Sequence, residues 1–329
     1  MTEKMVSPDL PAELRAALDA KLEGLSRHDV AVRAAAISKT YRDGGTSSAI
    51  RSDTDALAYA LARMPATYAA VSACLKALLQ ARPDFAPERL LDVGAGPGTA
   101  SWVAGEAFPS LQSFGLLDAN PALRTLALEL LHGSTRFAGL HYDAGDARAL
   151  LEKAETADLV VASYLIGELG EAERNSLTEA MWAKTRDTLV VIEPGTPAGY
   201  ARIIALRAQL IASGAHVLVP CPHERPCPLV SPDWCHFSQR LARSRTHKQV
   251  KGAEVPFEDE RFSYVVLTRE PVADHPSRVL AQPAVGKAEI SAKLCTQGGL
   301  ALAKVARRDR QAYAEARHWR WGDAVVVKS

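Results

Sequence analysis

The feature that most constrains the fold is an apolar strand that runs directly into a turn of alternating glycines. Residues 89–93 read Arg-Leu-Leu-Asp-Val, which predicts a short buried strand, and residues 94–98 read Gly-Ala-Gly-Pro-Gly. Gly94, Gly96 and Gly98 allow a tight turn and a close approach of the backbone to a ligand. The helix predicted to follow would present free amides and the positive end of its dipole at that point. This segment therefore predicts a bound nucleotide-like cofactor.

The same strand belongs to a repeating pattern of strands and helices. Further apolar strands are predicted at residues 113–118, 158–164 and 188–193, with helical sequence between them. Such alternation is typical of a parallel sheet covered on both faces, so we predict a doubly wound α/β fold. Residues 262–268 are expected to be a late member of this sheet.

The chain is predicted to divide into four parts. These are a helical N-terminal region (1–85), a cofactor-binding Rossmann-like core (86–200), a cysteine-rich metal-binding insert (201–260), and the last core strand with a small basic C-terminal appendage (261–329).

Composition excludes several classes of protein. The chain has 329 residues and a formal net charge of +1, so a nucleic-acid surface must come from local clustering of basic residues. No apolar run approaches the roughly 18 residues that a membrane helix needs, and the first residues resemble neither a signal peptide nor a transit peptide. We therefore expect a cytoplasmic monomer without a membrane partner. Five cysteines in such a protein favour metal ligands or reactive thiols over disulfides.

The glycine turn carries a more specific resemblance. A hydride-carrying dinucleotide fold has Gly-x-Gly-x-x-Gly, whereas this chain has Gly-x-Gly-x-Gly with Thr99 at the position of the third glycine. An acid, Asp92, followed by alternating glycines resembles the first motif of class I S-adenosylmethionine-dependent methyltransferases. The resemblance implies that fold and that cofactor, with Asp118 accepting the ribose hydroxyls and Asp146 contacting the adenine amine. A tight connection without a ligand is the alternative.

No motif assigns the catalytic residues. Amino-directed base methyltransferases usually carry an (Asn/Asp/Ser)-Pro-Pro-aromatic motif after the fourth strand, but residues 163–169 read Ser-Tyr-Leu-Ile-Gly-Glu-Leu. Methylation at position five of a pyrimidine needs a nucleophilic cysteine, and the cysteines beside prolines in this chain are predicted to have another role. We therefore name neither a general base nor a nucleophile.

Four of the five cysteines lie in the second half of the chain. Five residues separate Cys221 from Cys227, seven separate Cys227 from Cys235, and Cys295 follows much later. Structural zinc sites generally contain a tight Cys-x2–4-Cys pair, which is missing here. Wide, irregular spacing fits a larger inorganic cluster, since iron–sulfur centres are also held by four cysteines. Spacing alone leaves zinc and unrelated buried thiols open. Cys74, within a helical pattern, is expected to be a buried structural thiol.

The cysteine segments resemble one known family. Residues 221–229 (Cys-Pro-His-Glu-Arg-Pro-Cys-Pro-Leu), 233–240 (Asp-Trp-Cys-His-Phe-Ser-Gln-Arg) and 294–296 (Leu-Cys-Thr) are similar to the methyltransferase-like proteins of the mitochondrial small ribosomal subunit and their bacterial relatives. Residues 58–70 and 321–323 add to this resemblance, which runs from about residue 50 to the C-terminus. We expect a bacterial member.

The family resemblance implies a metal centre and a partner. It implies that four cysteines ligate a [4Fe–4S] cluster: Cys221, Cys227, Cys235 and Cys295. It also implies binding to ribosomal RNA of the small subunit during assembly. The cluster would then join the appendage to the core, because three ligands come from the insert and one from the appendage.

Two basic segments are candidates for contact with RNA. Residues 236–253 contain no acidic residue, and a second basic group follows near the C-terminus, interleaved with tryptophans that could stack on bases. The candidate RNA-binding residues are Arg240, Arg243, Arg245, Lys248, Arg307, Arg308 and Arg310. A solvated charged face is the alternative, and RNA is favoured over DNA because of the resemblance.

These observations favour a methyltransferase-like protein that binds S-adenosylmethionine and a [4Fe–4S] cluster and acts on ribosomal RNA of the small subunit. It could be a ribosomal RNA methyltransferase, as the cofactor motif indicates, or a non-catalytic ribosome assembly factor, as the missing catalytic motif indicates. The alternative is a zinc-stapled S-adenosylmethionine-dependent methyltransferase of a small molecule.

Overall fold

The N-terminal part of the chain is helical, as predicted. The structure, a computed structural model, describes residues 6–131, 134–137, 139–273 and 275–326. Three helices come first: α1 (Ala12–Lys21), α2 (Arg27–Arg42) and α3 (Asp53–Ala81). The long helix α3 begins at a capping box in which Ser52 and Asp55 exchange side-chain and backbone hydrogen bonds. Its many alanines and leucines are buried, because α3 packs against α2 on one side and against the central sheet on another.

The central sheet has the topology that positions a cofactor. Its strands are β1 (Arg89–Val93), β2 (Ser113–Asp118), β3 (Leu140–Ala144), β4 (Ala157–Ser163), β5 (Thr185–Pro194), β6 (His216–Val219), β7 (Phe237–Ala242) and β8 (Phe257–Thr268). The order is β3-β2-β1-β4-β5-β8-β6, with β7 paired to β8. Strands β1 to β5 are parallel, and β8 runs antiparallel to its neighbours. The order reverses direction between β1 and β4, where ligands bind in open α/β sheets.

Helices cover both faces of this sheet. They are α4 (Thr99–Ala107), α5 (Pro121–Leu131), α6 (Ala147–Lys153), α7 (Glu171–Lys184), α8 (Pro197–Ala212) and the short α9 (Arg245–Lys251). One face of the sheet shares a core with α3, α4 and α5, and the other shares a core with α7 and α8. The predicted doubly wound α/β fold of the class I methyltransferases is confirmed, with the last strands antiparallel.

A second, smaller sheet follows the central one. Its strands are β9 (Ser277–Val279), β10 (Ala284–Val285), β11 (Glu289–Thr296), β12 (Gly299–Ala306) and β13 (Ala324–Val325), with helix α10 (Arg310–Ala316) after β12. A small core of its own contains Val279, Ala292, Leu294 and Val325. The small sheet contacts the loop after β6, because the Arg278 side chain donates from Nε to the Pro220 carbonyl at 3.0 Å.

No helix within the described ranges is both long enough and apolar enough to span a bilayer.

Candidate functional site

The glycine turn between β1 and α4 has the backbone that its sequence predicts. Gly94, Gly96 and Gly98 have φ values of +70°, +53° and +79°, in the left-handed region that favours glycine. A β carbon at Gly94 would also lie 2.7 Å from Cδ1 of Leu165, so no larger residue fits without a shift of that side chain. The turn therefore brings the first amides of α4 to the edge where the parallel strands end.

Asp118 lies at the carboxyl end of β2, directly against the glycine turn. Its Oδ2 accepts a hydrogen bond from the Gly96 amide at 2.9 Å, and its Oδ1 accepts from the Asn120 amide at 2.7 Å. Burial raises the pKa of Asp118, and these amides oppose the rise. A carboxylate held in this way has a fixed orientation, and it retains lone pairs that could accept hydrogen bonds from ribose hydroxyls.

Asp92 is fully buried and holds the turn from beneath. Its Oδ2 accepts from both the amide and the hydroxyl of Ser101, at 3.0 and 2.8 Å, which ties β1 to α4. Its Oδ1 is buried without a hydrogen-bond partner among the described residues. Burial raises the pKa of Asp92 to about 7. This acid therefore supports the turn from inside the protein and does not line its open face.

Asp146 lies in the loop after β3, beside the end of β2. The neighbouring Gly145 amide donates to the Asp118 carbonyl at 2.9 Å, which holds the two loops together. The Asp146 side chain is the N-cap of α6, because its Oδ1 accepts from the Ala149 amide at 2.9 Å. The residue is exposed, so its cap does not exclude the predicted contact with an adenine amine.

A polar cavity of about 320 Å³ lies at the carboxyl ends of the neighbouring strands β4 and β5. Sequence reasoning missed this cavity. It is lined by tyrosines, acids and bases from several parts of the chain, among them Tyr41, Tyr59, Arg63, Tyr164, Glu168, Glu193, Arg202 and Lys251. The sequence gives one indication of this cavity, because residues 163–169 directly follow β4 and so lie at the carboxyl edge of the sheet.

Glu193 is the most unusual group of the cavity. Its Oε2 accepts from Nε of Arg202 at 2.6 Å, whereas its Oε1 is buried without a partner among the described residues. Burial raises the pKa of Glu193 and also that of Glu168. Tyr164 has a φ of +58°, a rare conformation for a bulky residue, and donates its hydroxyl to Glu260 at 2.9 Å. The carboxylates of Glu193 and Glu168 can accept a hydrogen bond or a proton from a bound group.

The N-terminal helices close over the cofactor edge. Nδ2 of Asn120 donates to the carbonyls of Ser47 and Ile50, each at 2.9 Å. The Ser47 amide in turn donates to Oε2 of Glu168 at 3.0 Å. The segment between α2 and α3 is therefore fastened both to the loop after β2 and to the loop after β4.

The structure brings together the four cysteines that the family resemblance implies. Cys221 follows β6, Cys227 and Cys235 lie in the loop before β7, and Cys295 lies on β11. All four line one largely apolar cavity of about 30 Å³. Cys74 is buried in α3 and is not among the lining residues, which agrees with the expected structural thiol.

Burial favours the protonated form of three of these thiols. Burial raises the pKa of Cys221 and Cys235, and it raises the pKa of Cys295 to about 12. A metal centre would have to displace these protons. No group of three or more Cys, His, Asp or Glu side chains in the described part of the chain is arranged to hold a metal ion.

Two buried arginines also line the cysteine cavity. Arg207 is 2% exposed and Arg278 is 6% exposed. Arg207 donates to the carbonyls of His223 and Arg225, and Arg278 donates to those of Pro220 and Gly322, the latter at 2.9 Å. Neither forms an ion pair with a carboxylate in the described ranges. A buried positive charge without a counter-charge is unfavourable, and thiolates on this cavity would supply the counter-charge. The donor set therefore fits a negatively charged metal–thiolate centre.

The candidate RNA-binding residues fall into two groups. Arg240 forms a bidentate pair with Asp259 at 2.8 and 2.9 Å, and Arg243 pairs with Glu258 at 3.2 Å. The other group makes no ion pair with the residues described by the structure: Arg245 and Lys248 on α9, Arg307 and Arg308 between β12 and α10, and Arg310 at the start of α10. The three arginines near α10 are exposed. Only the second group presents unpaired charge to a phosphate.

Comparison with known proteins gives one family. The family model described as mitochondrial small ribosomal subunit Rsm22 matches residues 53–326. The human ribosome assembly protein METTL17, mitochondrial, is 30% identical over 290 residues, which cover 82% of this chain and 62% of that protein. The Rsm22-cox11 tandem protein 2, mitochondrial, of Schizosaccharomyces pombe is 26% identical over 263 residues, covering 71% of this chain and 34% of that protein.

The chain thus spans less than two thirds of the length of these curated relatives. Among solved structures, a putative RNA methyltransferase from Pyrococcus horikoshii aligns with a TM-score of 0.40 and 14% identity, over 61% of this chain and 81% of that one. Because the family model spans most of the sequence, the chain belongs to the family of the mitochondrial small ribosomal subunit protein Rsm22.

Proposed function

We propose that this protein binds S-adenosylmethionine at the glycine turn, carries a [4Fe–4S] cluster on four cysteines, and acts on ribosomal RNA of the small subunit. The observation that carries the proposal is the cysteine cavity, where three thiols of the loop between β6 and β7 and one thiol of β11 meet two buried guanidiniums. These guanidiniums have no carboxylate partner among the described residues. The relatives named for ribosome assembly support the choice of partner.

The cofactor part of the proposal rests on the carboxyl edge of the sheet. Gly94, Gly96 and Gly98 allow the backbone to approach a ligand, and Asp118 is oriented beside them by two amides. The polar cavity adjoins this edge, so a methyl acceptor would lie between Tyr164 and the acids Glu168 and Glu193. We assign no general base.

The metal part favours a cluster over a single zinc ion. Structural zinc sites generally contain a tight Cys-x2–4-Cys pair, and no two of the four cysteines are that close in the sequence. In a [4Fe–4S] cluster each cysteine binds a different iron, so the thiolates are more widely spaced. Bound there, the cluster would supply four iron–thiolate bonds joining Cys221, Cys227 and Cys235 to Cys295.

The activity could be methyl transfer or assembly without turnover. The intact glycine turn and Asp118 support a ribosomal RNA methyltransferase. The lack of a catalytic motif at residues 163–169 supports a non-catalytic ribosome assembly factor. The fold is the same for both functions, so an assay must separate them.

The test uses anaerobically purified protein with small ribosomal subunits and methyl-labelled S-adenosylmethionine. Sedimentation should show salt-dependent binding to the subunits. Label in the RNA would establish the methyltransferase, and binding without label would establish the assembly role. A protein that does not bind small subunits or their RNA would overturn the proposal. The Asp118→Ala variant controls for label that enters independently of the cofactor site.

A further inference from the structure

We infer that the guanidiniums of Arg207 and Arg278 supply the positive charge that balances the cluster on the four cysteines. We also infer that they control how firmly the protein retains this cluster and what its reduction potential is. The inference rests on the cluster proposed above. It adds two residues that are not ligands and that come from different parts of the fold. Arg207 lies on α8 of the large domain, which is the central sheet with its covering helices, and Arg278 lies on β9 of the small sheet.

Arg207 reaches the cavity from α8. It is one of the largest fully buried side chains, with 2% of its surface exposed. Its terminal nitrogens donate to the carbonyls of His223 and Arg225, on the loop that carries Cys221 and Cys227. Its Nε is buried without a partner in the part of the chain that the structure describes. Carbonyl oxygens orient this guanidinium but do not neutralise its charge.

Arg278 reaches the same cavity from the opposite side. Its Nε donates to the Pro220 carbonyl at 3.0 Å, and a terminal nitrogen donates to the Gly322 carbonyl at 2.9 Å. It precedes Val279 on β9 and is paired in register with Cys295 on β11. The residue therefore belongs to the small sheet while its side chain contacts the cysteine loop of the large domain.

The charges of the two arginines match the centre. Four thiolates around an oxidised [4Fe–4S]²⁺ core carry a net charge of −2, and the two guanidiniums carry +2. An uncompensated buried charge is strongly unfavourable. The two arginines would therefore stabilise the protein with the cluster bound relative to the protein without it. When an external reductant transfers one electron to the core, the site charge becomes −3. Nearby guanidiniums favour this added negative charge and so raise the reduction potential.

Arg269 provides a matched control. It also donates to backbone carbonyls, those of Thr185 and Trp182, and it stacks on the Trp182 ring with 3.8 Å from Cζ to the centroid. It forms no carboxylate ion pair in the described ranges and does not line the cysteine cavity. It therefore resembles the two arginines in its hydrogen bonds but is remote from the thiols.

The experiment compares Arg207→Gln, Arg278→Gln and Arg269→Gln with the wild type, all purified anaerobically. Glutamine keeps an amide donor for the carbonyls and removes the charge. Iron per chain and the midpoint potential are measured, the latter by dithionite titration followed by electron paramagnetic resonance. We expect both cavity variants to lose iron faster on dilution. We also expect their potentials to fall by at least about 59 mV, which is a tenfold change for a one-electron couple. Arg269→Gln should match the wild type.

Two further outcomes are decisive. Cavity variants with the iron content and potential of Arg269→Gln would overturn the inference. If a glutamine variant does not fold, Arg207→Lys and Arg278→Lys replace it; these keep the charge and should keep the wild-type potential, and a fall as large as about 59 mV would equally overturn the inference. A wild-type protein without iron would refute the proposed cluster itself, which is a separate result.

Discussion

Sγ of Cys295 lies 3.7 Å from Nε2 of His223, although the two residues are 72 positions apart in the chain. Cys295 belongs to β11 of the small sheet, and His223 lies between two predicted ligands in the loop after β6. The small sheet and the cysteine-rich loop are therefore in direct contact at the cavity, so a metal centre there would bridge two parts of the fold.

The first prediction concerns this bridge. Cys295→Ser should lose the cluster and release the small sheet, while the large domain stays folded because its strands precede this residue. Limited proteolysis should then cut between β8 and β9 faster than it does in the wild type. RNA binding should weaken by about 1 kcal/mol, because the basic residues near α10 must be reordered on binding.

Cys74→Ser is the control for this variant, since Cys74 is buried in α3 away from the cavity. It should lose some stability but keep its iron and its proteolytic pattern. If Cys295→Ser lost the cluster yet kept the wild-type cleavage pattern and RNA affinity, the centre would not be a structural bridge.

A second prediction concerns the cofactor edge. Asp118→Ala removes a charged acceptor for ribose hydroxyls and the acceptor that orients the Gly96 amide. Binding of S-adenosylmethionine should weaken by more than about 1.5 kcal/mol in calorimetry, with unchanged iron content. Asp143→Ala, an exposed acid near the end of β3, is the control and should bind as the wild type does. Equal affinity in the Asp118 variant would remove this residue from the site.

A third prediction follows from the buried acid beneath the turn. Burial raises the pKa of Asp92 to about 7 in the folded protein, whereas the pKa of an aspartate in the unfolded chain is about 4. Between these values only the folded state holds the proton, so Asp92 makes the free energy of unfolding fall as pH rises. The loss should be about 2 kcal/mol between about pH 5 and 7.

The measurement is urea unfolding of the wild type and Asp92→Asn across this pH range. The variant lacks the titrating proton, so the difference between the two proteins should change by that amount between about pH 5 and 7 and level off above about pH 8. A constant difference at all pH values would show that Asp92 does not titrate as described.

A fourth prediction separates the two basic groups. Arg307 and Arg308 are exposed and form no ion pair with described residues, whereas Arg240 is held by Asp259. Alanine at Arg307 or Arg308 should reduce the salt slope of RNA binding by about one for each phosphate that the protein no longer neutralises. Arg240→Ala should change the slope by less than about half as much, because its charge is already neutralised. Anisotropy at several salt concentrations measures this, and a larger effect at Arg240 would contradict the assignment.

The strands that could be predicted from the sequence are those whose residues lie almost entirely in the buried core. Strands β1, β4 and β5 are buried on both faces, so each of them contains an apolar run that the sequence shows directly. The tight glycine turn was predicted from the spacing of Gly94, Gly96 and Gly98, and all three have positive φ angles. Strand β3 escaped prediction because only Tyr142 of its residues is buried. Strand β7 and the first half of β8 escaped because their charged side chains pair across the ladder, as Arg240 and Asp259 do.

The functional sites likewise contain residues that could be predicted from the sequence and residues that could not. Cysteines stand out by type, so the set at the cavity could be proposed from residues and resemblance before any geometry was known. The polar cavity and the two buried arginines could not, because their members come from separate segments and share no motif. Arginine is common at the surface, and only burial without a carboxylate among the described residues distinguishes Arg207 and Arg278 from the others.

The most direct test of the central claim is the metal content of the wild-type protein purified without oxygen. Iron, acid-labile sulfide and zinc are counted per chain, and a visible spectrum is recorded before and after exposure to air. We expect a brown protein with about four irons and four sulfides per chain, whose colour bleaches in air. A colourless protein with one zinc ion per chain and no iron would contradict the claim.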